Sequence, residues 1–221
     1  MKKTDFLKNS IIAHRGIFDN KNTIENTISA FKKALNKGYT IEFDLHVTKD
    51  NKVIVFHDDT LERLTDKEGK IDSLTLEEIR KIKLLNKSYI PTFEEVLALV
   101  DGKVPLLIEL KDSKGFVLEK EVSKILSDYK GEYAIQSFDP RTVLWFRLFK
   151  KDIIRGLLIS PKTKGSFKMI STCKPDFINV NKSLLEDKKV KKYNGIKLAY
   201  TIDELEKEKY NDKCDNMICN I

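Results

Sequence analysis

The stretch Tyr39-Thr-Ile-Glu-Phe-Asp-Leu-His46 alternates apolar with polar side chains along most of its length. This alternation predicts a β-strand, because successive side chains of a strand point to opposite faces. Glu42 and Asp44 therefore share one face, and the apolar residues between them lie on the other. Two carboxylates held side by side repel each other unless a cation lies between them. The strand therefore indicates either a metal site or a solvated face of a sheet.

The rest of the chain alternates between short apolar runs, many of them β-branched, and segments with helical periodicity. This pattern predicts parallel strands with helices outside them. The strand candidates are 10–13, 40–46, 53–56, 104–110, 133–136, 154–159, 176–180, 196–200 and 216–219. We treat 53–56 as a hairpin extension of 40–46, which leaves eight main strands. This number suits a closed α/β fold, the (β/α)8 TIM barrel, and a doubly wound open sheet is the alternative.

Several predicted helices begin at recognisable capping residues. The capping signals are Asn22 with Glu25, Thr75 with Glu78, Thr92 with Glu95, Asp139 before Pro140, and Ser183 with Glu186.

The connection over residues 58–91 is long for a barrel, and we interpret it as a small insertion after the second strand. No low-complexity linker divides the chain, so residues 1–221 are predicted to form a single barrel domain. The sequence ends directly after the last predicted strand, so we expect the closing C-terminal helix of a full barrel to be absent.

Composition limits the classes of function. The chain has 221 residues, 41% apolar and 34% charged, with a net charge of +7. It contains no apolar run long enough to cross a membrane, and its basic N-terminus lacks the apolar core of a signal peptide. Three cysteines without metal-type spacing argue against a disulfide framework. We therefore expect a cytoplasmic protein without stable membrane insertion, and a homo-oligomer is compatible with the sequence. The lysines form no basic stripe, which disfavours nucleic acid as a partner.

Residues that suit phosphodiester chemistry lie at the ends of several predicted strands. Glu42, Asp44 and Glu109 offer only oxygen ligands, which suit Mg²⁺, Ca²⁺ or Mn²⁺ better than zinc. His14 and His57 titrate near neutrality and are candidates for general acid and general base, in an order that the sequence leaves open. Further strand ends carry the phosphate-binding candidates Arg15 and Lys111 and the polar residue Gln136.

Each of these residues also has an ordinary structural explanation when taken alone. A histidine at a strand end is often purely structural, and we interpret His46 in that way. Glu25 and Asn26 are expected to cap a helix or to support the rim of the barrel. The co-occurrence of phosphate-compatible chemistry at five strand ends favours the catalytic interpretation.

The order of these motifs resembles the glycerophosphodiester phosphodiesterase family over residues 10–138. The matching segments are His14-Arg15-Gly16, Glu25-Asn26-Thr27, Glu42 to Asp50, Val55 to Asp58, Leu74 to Glu78, Ile90-Pro91-Thr92, Glu109-Leu110-Lys111 and Gln136-Ser137-Phe138. The resemblance implies a TIM barrel with a small insertion, and hydrolysis of glycerophosphodiesters to glycerol 3-phosphate and an alcohol. It also implies a divalent ion, Ca²⁺ or Mg²⁺, held by Glu42, Asp44 and Glu109. By the same resemblance, His14 and His57 form the acid–base pair.

The last third of the chain departs from the family pattern. A Trp-Thr-Val-Asn-like segment is usual there, and this chain has Ala199-Tyr200-Thr201-Ile202-Asp203. The resemblance implies that Tyr200 replaces the tryptophan as a wall of the glycerol pocket. Three other functions remain open: a phospholipase D-like or lysophospholipid-cleaving phosphodiesterase on the same barrel, an inactive phosphate-sensing barrel, and nucleic-acid binding.

Overall fold

Eight parallel strands close into a barrel in the computed structural model, which describes residues 4–221. The described chain has nine strands, of which all except β3 belong to the ring. They are β1 (Ile12–Ala13), β2 (Thr40–Val47), β3 (Val53–Val55), β4 (Leu106–Leu110), β5 (Tyr133–Ser137), β6 (Ile154–Ile159), β7 (Phe177–Asn181), β8 (Ile196–Asp203) and β9 (Asn216–Asn220). The ring closes because β1 pairs in parallel with both β2 and β9. β3 pairs antiparallel with β2 and stands outside the ring as a hairpin extension. The TIM barrel prediction is confirmed, and the open-sheet alternative is wrong.

The helices surround the barrel and are longer in its first half. They are α1 (Asp5–Asn9), α2 (Ile28–Asn36), α3 (Leu76–Lys81), α4 (Phe93–Val100), α5 (Val117–Ile125), α6 (Pro140–Phe149), α7 (Ile170–Cys173) and α8 (Lys188–Lys191). Six short 3₁₀ segments complete the described secondary structure: Ile71–Ser73, Lys114–Phe116, Leu126–Asp128, Lys164–Met169, Lys182–Leu184 and Glu204–Lys209. The 3₁₀ segment over 204–209 follows β8 in the place of an α-helix.

Three of the predicted helix starts are confirmed and two are wrong. The capping boxes at Thr75 and Thr92 are formed, and Asp139 caps α6 ahead of its proline. The predicted pair of Asn22 and Glu25 does not cap α2, and Thr27 caps it instead. The reason is competition, since Asn22 is held in a turn by Asp19 and Glu25 is bound by two arginines.

The later helix start predicted at Ser183 and Glu186 is also wrong. Ser183 belongs to the 3₁₀ segment, where its backbone N–H donates to the Asn181 side chain. Asp187 caps α8 by accepting from the backbone of Lys189. Both corrections share a cause, because the backbone N–H of the residue predicted as the cap donates to the side chain of a nearby aspartate or asparagine.

Apolar side chains fill the space between the strands and the outer helices, and a second set fills the barrel interior. The interior set includes Leu107, Phe177 and Leu198 and is completed from below by Phe6 and Leu7 of α1. The Asn216 side chain donates to the backbone carbonyls of Leu7 and Ser10 at 3.0 and 2.7 Å. Helix α1 therefore closes the N-terminal end of the barrel, and the opposite end is left for the functional groups.

The predicted insertion has apolar contacts of its own. Leu61, Leu64 and Ile71 pack with α3 and with Phe56, directly after β3, in a separate buried cluster. This packing fixes the segment that follows His57 against the rim of the barrel.

Residues 1–3, the start of the basic N-terminal stretch, lie outside the described residues. No helix follows β9 in the described chain, which ends at Ile221. Among residues 4–221, no helix is both long and apolar enough to span a bilayer. All three cysteines are free thiols.

Candidate active site

A cavity of about 100 Å³ opens among the carboxyl ends of the strands. Its lining consists of His14, Arg15, Glu42, His57, Glu109, Gln136, Phe138, Leu158, Asn179, Tyr200, Thr201 and Ile218. Seven of the nine predicted site residues belong to this lining. The other two, Asp44 and Lys111, contact lining residues from beside them. The structure therefore brings all of the predicted site residues together.

The three predicted metal ligands form one buried acidic cluster. Carboxylate oxygens of Glu42, Asp44 and Glu109 lie within 4.8 Å of one another. Parallel pairing produces this arrangement, because Asp44 on β2 is in register with Glu109 on β4. None of the three side chains is more than 9% exposed. Acids buried this close together are costly unless a positive charge is present.

The acids differ in how their charge is compensated. Burial and the neighbouring acids raise the pKa of Glu42 well above its ordinary value. Burial also raises the pKa of Glu109, although Lys111 opposes this effect. The pKa of Asp44 lies below its usual range, since Lys111 and Arg15 outweigh the effect of burial. The cations of the protein therefore neutralise Asp44 well and Glu42 poorly.

Contacts with basic and amide groups fix Asp44 and Glu109. The Lys111 ammonium lies 2.8 Å from Asp44 Oδ1 and also binds Glu109 Oε1. Asn26 donates to Asp44 Oδ2 at 2.8 Å. Glu42 accepts only from the Arg15 backbone and the Gln136 amide among the described residues, at 3.2 and 3.3 Å. The poorly compensated, all-oxygen cluster fits a divalent ion of the Mg²⁺, Ca²⁺ or Mn²⁺ type.

Arg15 is placed by an unusual backbone turn after β1. Its φ of +56° is followed by a φ of +84° at Gly16, a conformation that favours glycine. A Cβ at Gly16 would lie 2.8 Å from the backbone carbon of Ala30 in α2, so only glycine fits there. The guanidinium is then held by Glu25 at 2.7 Å and by Asp44 at 3.4 Å. The predicted rim-supporting role of Glu25 agrees with these contacts.

A chain of ion pairs orients His57. Its Nδ1 lies 2.5 Å from Asp58 Oδ1, and Arg63 holds the other oxygen of Asp58 at 2.5 Å. Arg63 also contacts Glu25 at 2.7 Å, so this chain connects with the one that holds Arg15. Burial lowers the pKa of His57, whereas Asp44 and Asp58 act in the opposite direction. His46 lies beneath, with its Nε2 at 3.2 Å from the His57 carbonyl oxygen, in agreement with a structural role.

His14 directly follows β1 and lines the same cavity as His57. Its Nδ1 lies 2.8 Å from the side-chain oxygen of Asn220, on the last strand. Burial and the adjacent Arg15 lower the pKa of His14 to about 4. The two imidazoles therefore line the same cavity but have different partners.

Gln136 and Tyr200 also line the cavity. The side-chain oxygen of Gln136 accepts a hydrogen bond from Asn179 at 2.9 Å, and its amide nitrogen donates one to Glu42. Tyr200 donates to the Ile159 carbonyl at 3.2 Å and meets the Phe138 ring edge-on at 5.8 Å. One wall of the cavity is therefore aromatic and the other is charged.

Several residues of this site were not predicted from the sequence. Asn179 is a buried polar residue in the otherwise mostly apolar strand β7. The alternation of side chains along the strand would have been enough to predict that Asn179 points into the barrel. Asn220, Arg63 and Thr201 carry no comparable signal, because their role depends on which strand or loop lies next to them. Phe138 belongs to the quoted segment Gln136-Ser137-Phe138 but was not assigned to the site.

Comparison with known proteins agrees with this geometry. The family model described as "Glycerophosphoryl diester phosphodiesterase family" matches residues 14–215. The chain belongs to this family. It is 34% identical over 220 residues to a glycerophosphodiester phosphodiesterase of Caldanaerobacter subterraneus subsp. tengcongensis, covering 90% of this chain and 88% of the relative. It is also 30% identical over 166 residues to human glycerophosphodiester phosphodiesterase 1, covering 69% of this chain and 49% of the human protein. By its family, the chain is a phosphoric diester hydrolase.

Solved structures show the same fold. A phosphodiesterase of Oleispira antarctica, in complex with the product sn-glycerol-3-phosphate, has a TM-score of 0.83 at 22% identity, covering 96% of this chain and 93% of the other. A glycerophosphodiester phosphodiesterase of Thermotoga maritima has a TM-score of 0.77 at 26% identity, with coverage of 96% and 94%.

Proposed function

We propose that this chain hydrolyses glycerophosphodiesters to glycerol 3-phosphate and an alcohol, with a divalent ion and two histidines. Glu42, Asp44 and Glu109 would hold the ion, Ca²⁺ or Mg²⁺, and His14 and His57 would transfer protons. The observation that carries the proposal is the convergence of three buried carboxylates within 4.8 Å, beside a cavity that both imidazoles line. The product named for the Oleispira antarctica structure supports the same class of reaction. The proposal takes residues 1–221 as one barrel domain acting in the cytoplasm on a small-molecule substrate.

The charged residues of the site have different roles in the proposed reaction. When bound, the ion would polarise the phosphoryl group and offset the charge of the three acids. Arg15 lines the cavity and is held rigidly by Glu25, so its remaining N–H groups are available to a phosphate oxygen. Lys111 holds Asp44 and Glu109 and adds positive charge next to the substrate phosphate.

Proton transfer falls to the histidines. One imidazole takes the proton of the attacking hydroxyl, which belongs to water or to the glycerol group of the substrate. The other gives a proton to the departing alkoxide. The aromatic wall of Tyr200 and Phe138 would contact the carbon skeleton of the glycerol group.

An assay on a panel of glycerophosphodiesters tests this proposal. Purified protein is incubated with glycerophosphocholine and related head groups, first with a chelator and then with Mg²⁺ or Ca²⁺ added back. We expect release of glycerol 3-phosphate that stops with the chelator and returns with the ion. Glu42→Ala and Glu109→Ala should abolish this turnover, whereas Glu94→Ala, on the exposed side of α4, is the matched control and should leave it unchanged.

The histidine assignment needs its own variant. His57→Ala should remove activity and leave metal binding intact, as measured by calorimetry. Loss of the ion in this variant would contradict the assigned role. Lysophosphatidylcholine in the same panel tests the alternative of a lysophospholipid-cleaving enzyme. Absence of turnover on every substrate, with phosphate binding retained, would instead favour an inactive sensing barrel.

A further inference from the structure

His14 makes its side-chain hydrogen bond with the last strand of the barrel. Asn220 on β9 is the direct cross-strand neighbour of Asp203 on β8. The Asn220 amide nitrogen donates to Asp203 Oδ1 at 3.1 Å, and its Oδ1 lies 2.8 Å from His14 Nδ1. Asp203, Asn220 and His14 therefore form a linear chain of hydrogen bonds that runs from the exposed rim into the cavity.

The chemistry of these groups fixes the direction of each hydrogen bond. An ionised carboxylate only accepts, so the atom of Asn220 that faces Asp203 must be the amide nitrogen. The side-chain oxygen of Asn220 then faces His14, and an amide oxygen only accepts as well. Nδ1 of His14 must therefore carry the proton. In a neutral imidazole this leaves Nε2 with a free lone pair.

The partner of His57 is of a different kind. Its Nδ1 faces the carboxylate of Asp58, which together with Asp44 favours a protonated imidazolium, whereas burial, Lys111 and Arg15 oppose that charge and the net effect lowers the pKa of His57. The neutral amide of Asn220 gives His14 no comparable support for a positive charge. The charged and titratable groups that act on His14 are Arg15 and His57, which oppose its protonation, and Asp44, which favours it. Burial is the largest of these effects, so His14 is neutral near pH 7.

We propose that Asn220, oriented by Asp203, is a positioning residue that holds His14 in the tautomer with Nδ1 protonated, so that His14 is the base and His57 the acid. This inference deepens the proposed function and rests on it. His14 Nε2 takes the proton of the attacking hydroxyl as its oxygen bonds to phosphorus. The bond from phosphorus to the departing oxygen breaks, and that oxygen takes a proton from Nε2 of His57, so the reactive form of the enzyme is the one in which His57 is protonated. Exchange with water then returns both histidines to their starting states.

The tautomer can be observed without any substrate. The chain has three histidines, so ¹⁵N-labelled full-length protein gives few imidazole signals in a long-range ¹H–¹⁵N correlation spectrum. His14→Gln identifies the His14 signals. In Mg²⁺-containing buffer at pH 7 we expect His14 to be neutral, protonated at Nδ1 and unprotonated at Nε2. A His14 that is mainly protonated at Nε2 alone would overturn the proposal.

Variants test whether Asp203 and Asn220 set this state. Asp203→Ala removes the acceptor that orients Asn220, so the Nε2-protonated tautomer of His14 should appear in the spectrum. The rate constant kcat should fall about 3- to 10-fold with little change in KM, the size expected for one hydrogen bond. Glu204→Gln removes the adjacent exposed charge, which pairs only with Lys207 among the described residues, and should change neither quantity.

Asn220→Asp tests the charge of the partner. A carboxylate next to Nδ1 should raise the pKa of His14 by about one unit or more, which moves the acidic limb of the kcat/KM profile to higher pH. An unchanged profile in this variant, or an unchanged spectrum in Asp203→Ala, would overturn the proposal. The proposed function can fail independently of this hydrogen-bond chain. A protein that shows the predicted His14 tautomer but no phosphodiesterase activity would contradict the proposed function and leave the structural role of Asn220 and Asp203 in place.

Discussion

At the scale of single residues, the site contains three buried carboxylates whose negative charge the neighbouring basic side chains compensate only in part. Lys111 and Arg15 compensate Asp44, but Glu42 keeps a raised pKa next to two other acids. A folded protein rarely keeps such a cluster without a use for it, because burying carboxylates side by side is costly. The imbalance is therefore the physical basis of the proposed ion site.

Binding of the ion should release a proton from Glu42. A carboxylate must be ionised to act as a ligand, and the raised pKa means that Glu42 binds a proton more readily than an ordinary glutamate. Affinity for Mn²⁺ or Ca²⁺ should therefore increase as the pH rises. Calorimetry in buffers of different ionisation enthalpy measures the released protons. Glu42→Gln should bind the ion more weakly and release fewer protons, and equal release in both proteins would count against this explanation.

Glu25 should stabilise the fold in a pH-dependent way. Burial opposes its charge, but the hydrogen bonds and charges of Arg63 and Arg15 lower its pKa to about 2 from 4.5. A lowered folded-state pKa means that this stabilisation is complete above pH 4.5 and is lost as the pH falls towards 2. Glu25→Gln should therefore cost about 2 kcal/mol at pH 7, after allowance for the partly exposed Arg63. Urea unfolding from pH 7 to 3 measures the difference, which should shrink on acidification. A difference independent of pH would contradict the prediction.

At the scale of elements, the turn from β1 into the segment before α2 determines where Arg15 points. Its geometry depends on Gly16, which has a positive φ and almost touches the backbone of α2. Sequence motifs indicated that His14, Arg15 and Gly16 belong together, and the structure supplies the reason. The glycine brings the arginine over the acidic cluster and the helix against the strand.

Gly16→Ala should therefore be much more harmful than a comparable change elsewhere. The added Cβ would collide with Ala30 at 2.8 Å, in addition to the backbone strain, so we expect a loss of about 3 kcal/mol in unfolding free energy and a marked loss of activity. Gly38→Ala is the matched control, because Gly38 also has a positive φ but nothing lies within 4 Å of its added Cβ. It should cost about 1 kcal/mol and leave activity unchanged. Equal losses in both variants, measured by urea unfolding, would show that contact with α2 is unimportant.

Helix α1 has a structural task at the end of the barrel opposite to the site. Leu7 is fully buried among the interior side chains, so Leu7→Ala should lower the unfolding free energy by about 2–4 kcal/mol. The kcat of the folded enzyme should stay within about twofold of the wild type, since the cavity lies at the other end. Lys8→Ala, on the exposed side of the same helix, is the control and should change neither quantity. A large fall in kcat for Leu7→Ala would contradict this separation of tasks.

At the scale of the whole molecule, strand parity explains how much of the barrel was predictable. The alternation in 39–46 and the polar ends of later strands defined inward faces, and parallel pairing then placed Asp44 opposite Glu109. Helix starts were less predictable, because Asp19 and Asp187 competed locally with the expected caps. The contact between Asn220 and His14 was not predictable from the sequence pattern, because it forms only when the ring closes between β1 and β9. Closure is a property of the complete barrel and leaves no local pattern in the sequence.

The central claim is that three acids from two neighbouring strands form one ion site. A crystal of this protein grown with Mn²⁺ tests the claim most directly through its anomalous difference map. We predict a single strong peak about 2–2.5 Å from carboxylate oxygens of Glu42, Asp44 and Glu109. A map with no peak among these three residues, or with the ion held elsewhere while turnover still requires it, would contradict the account.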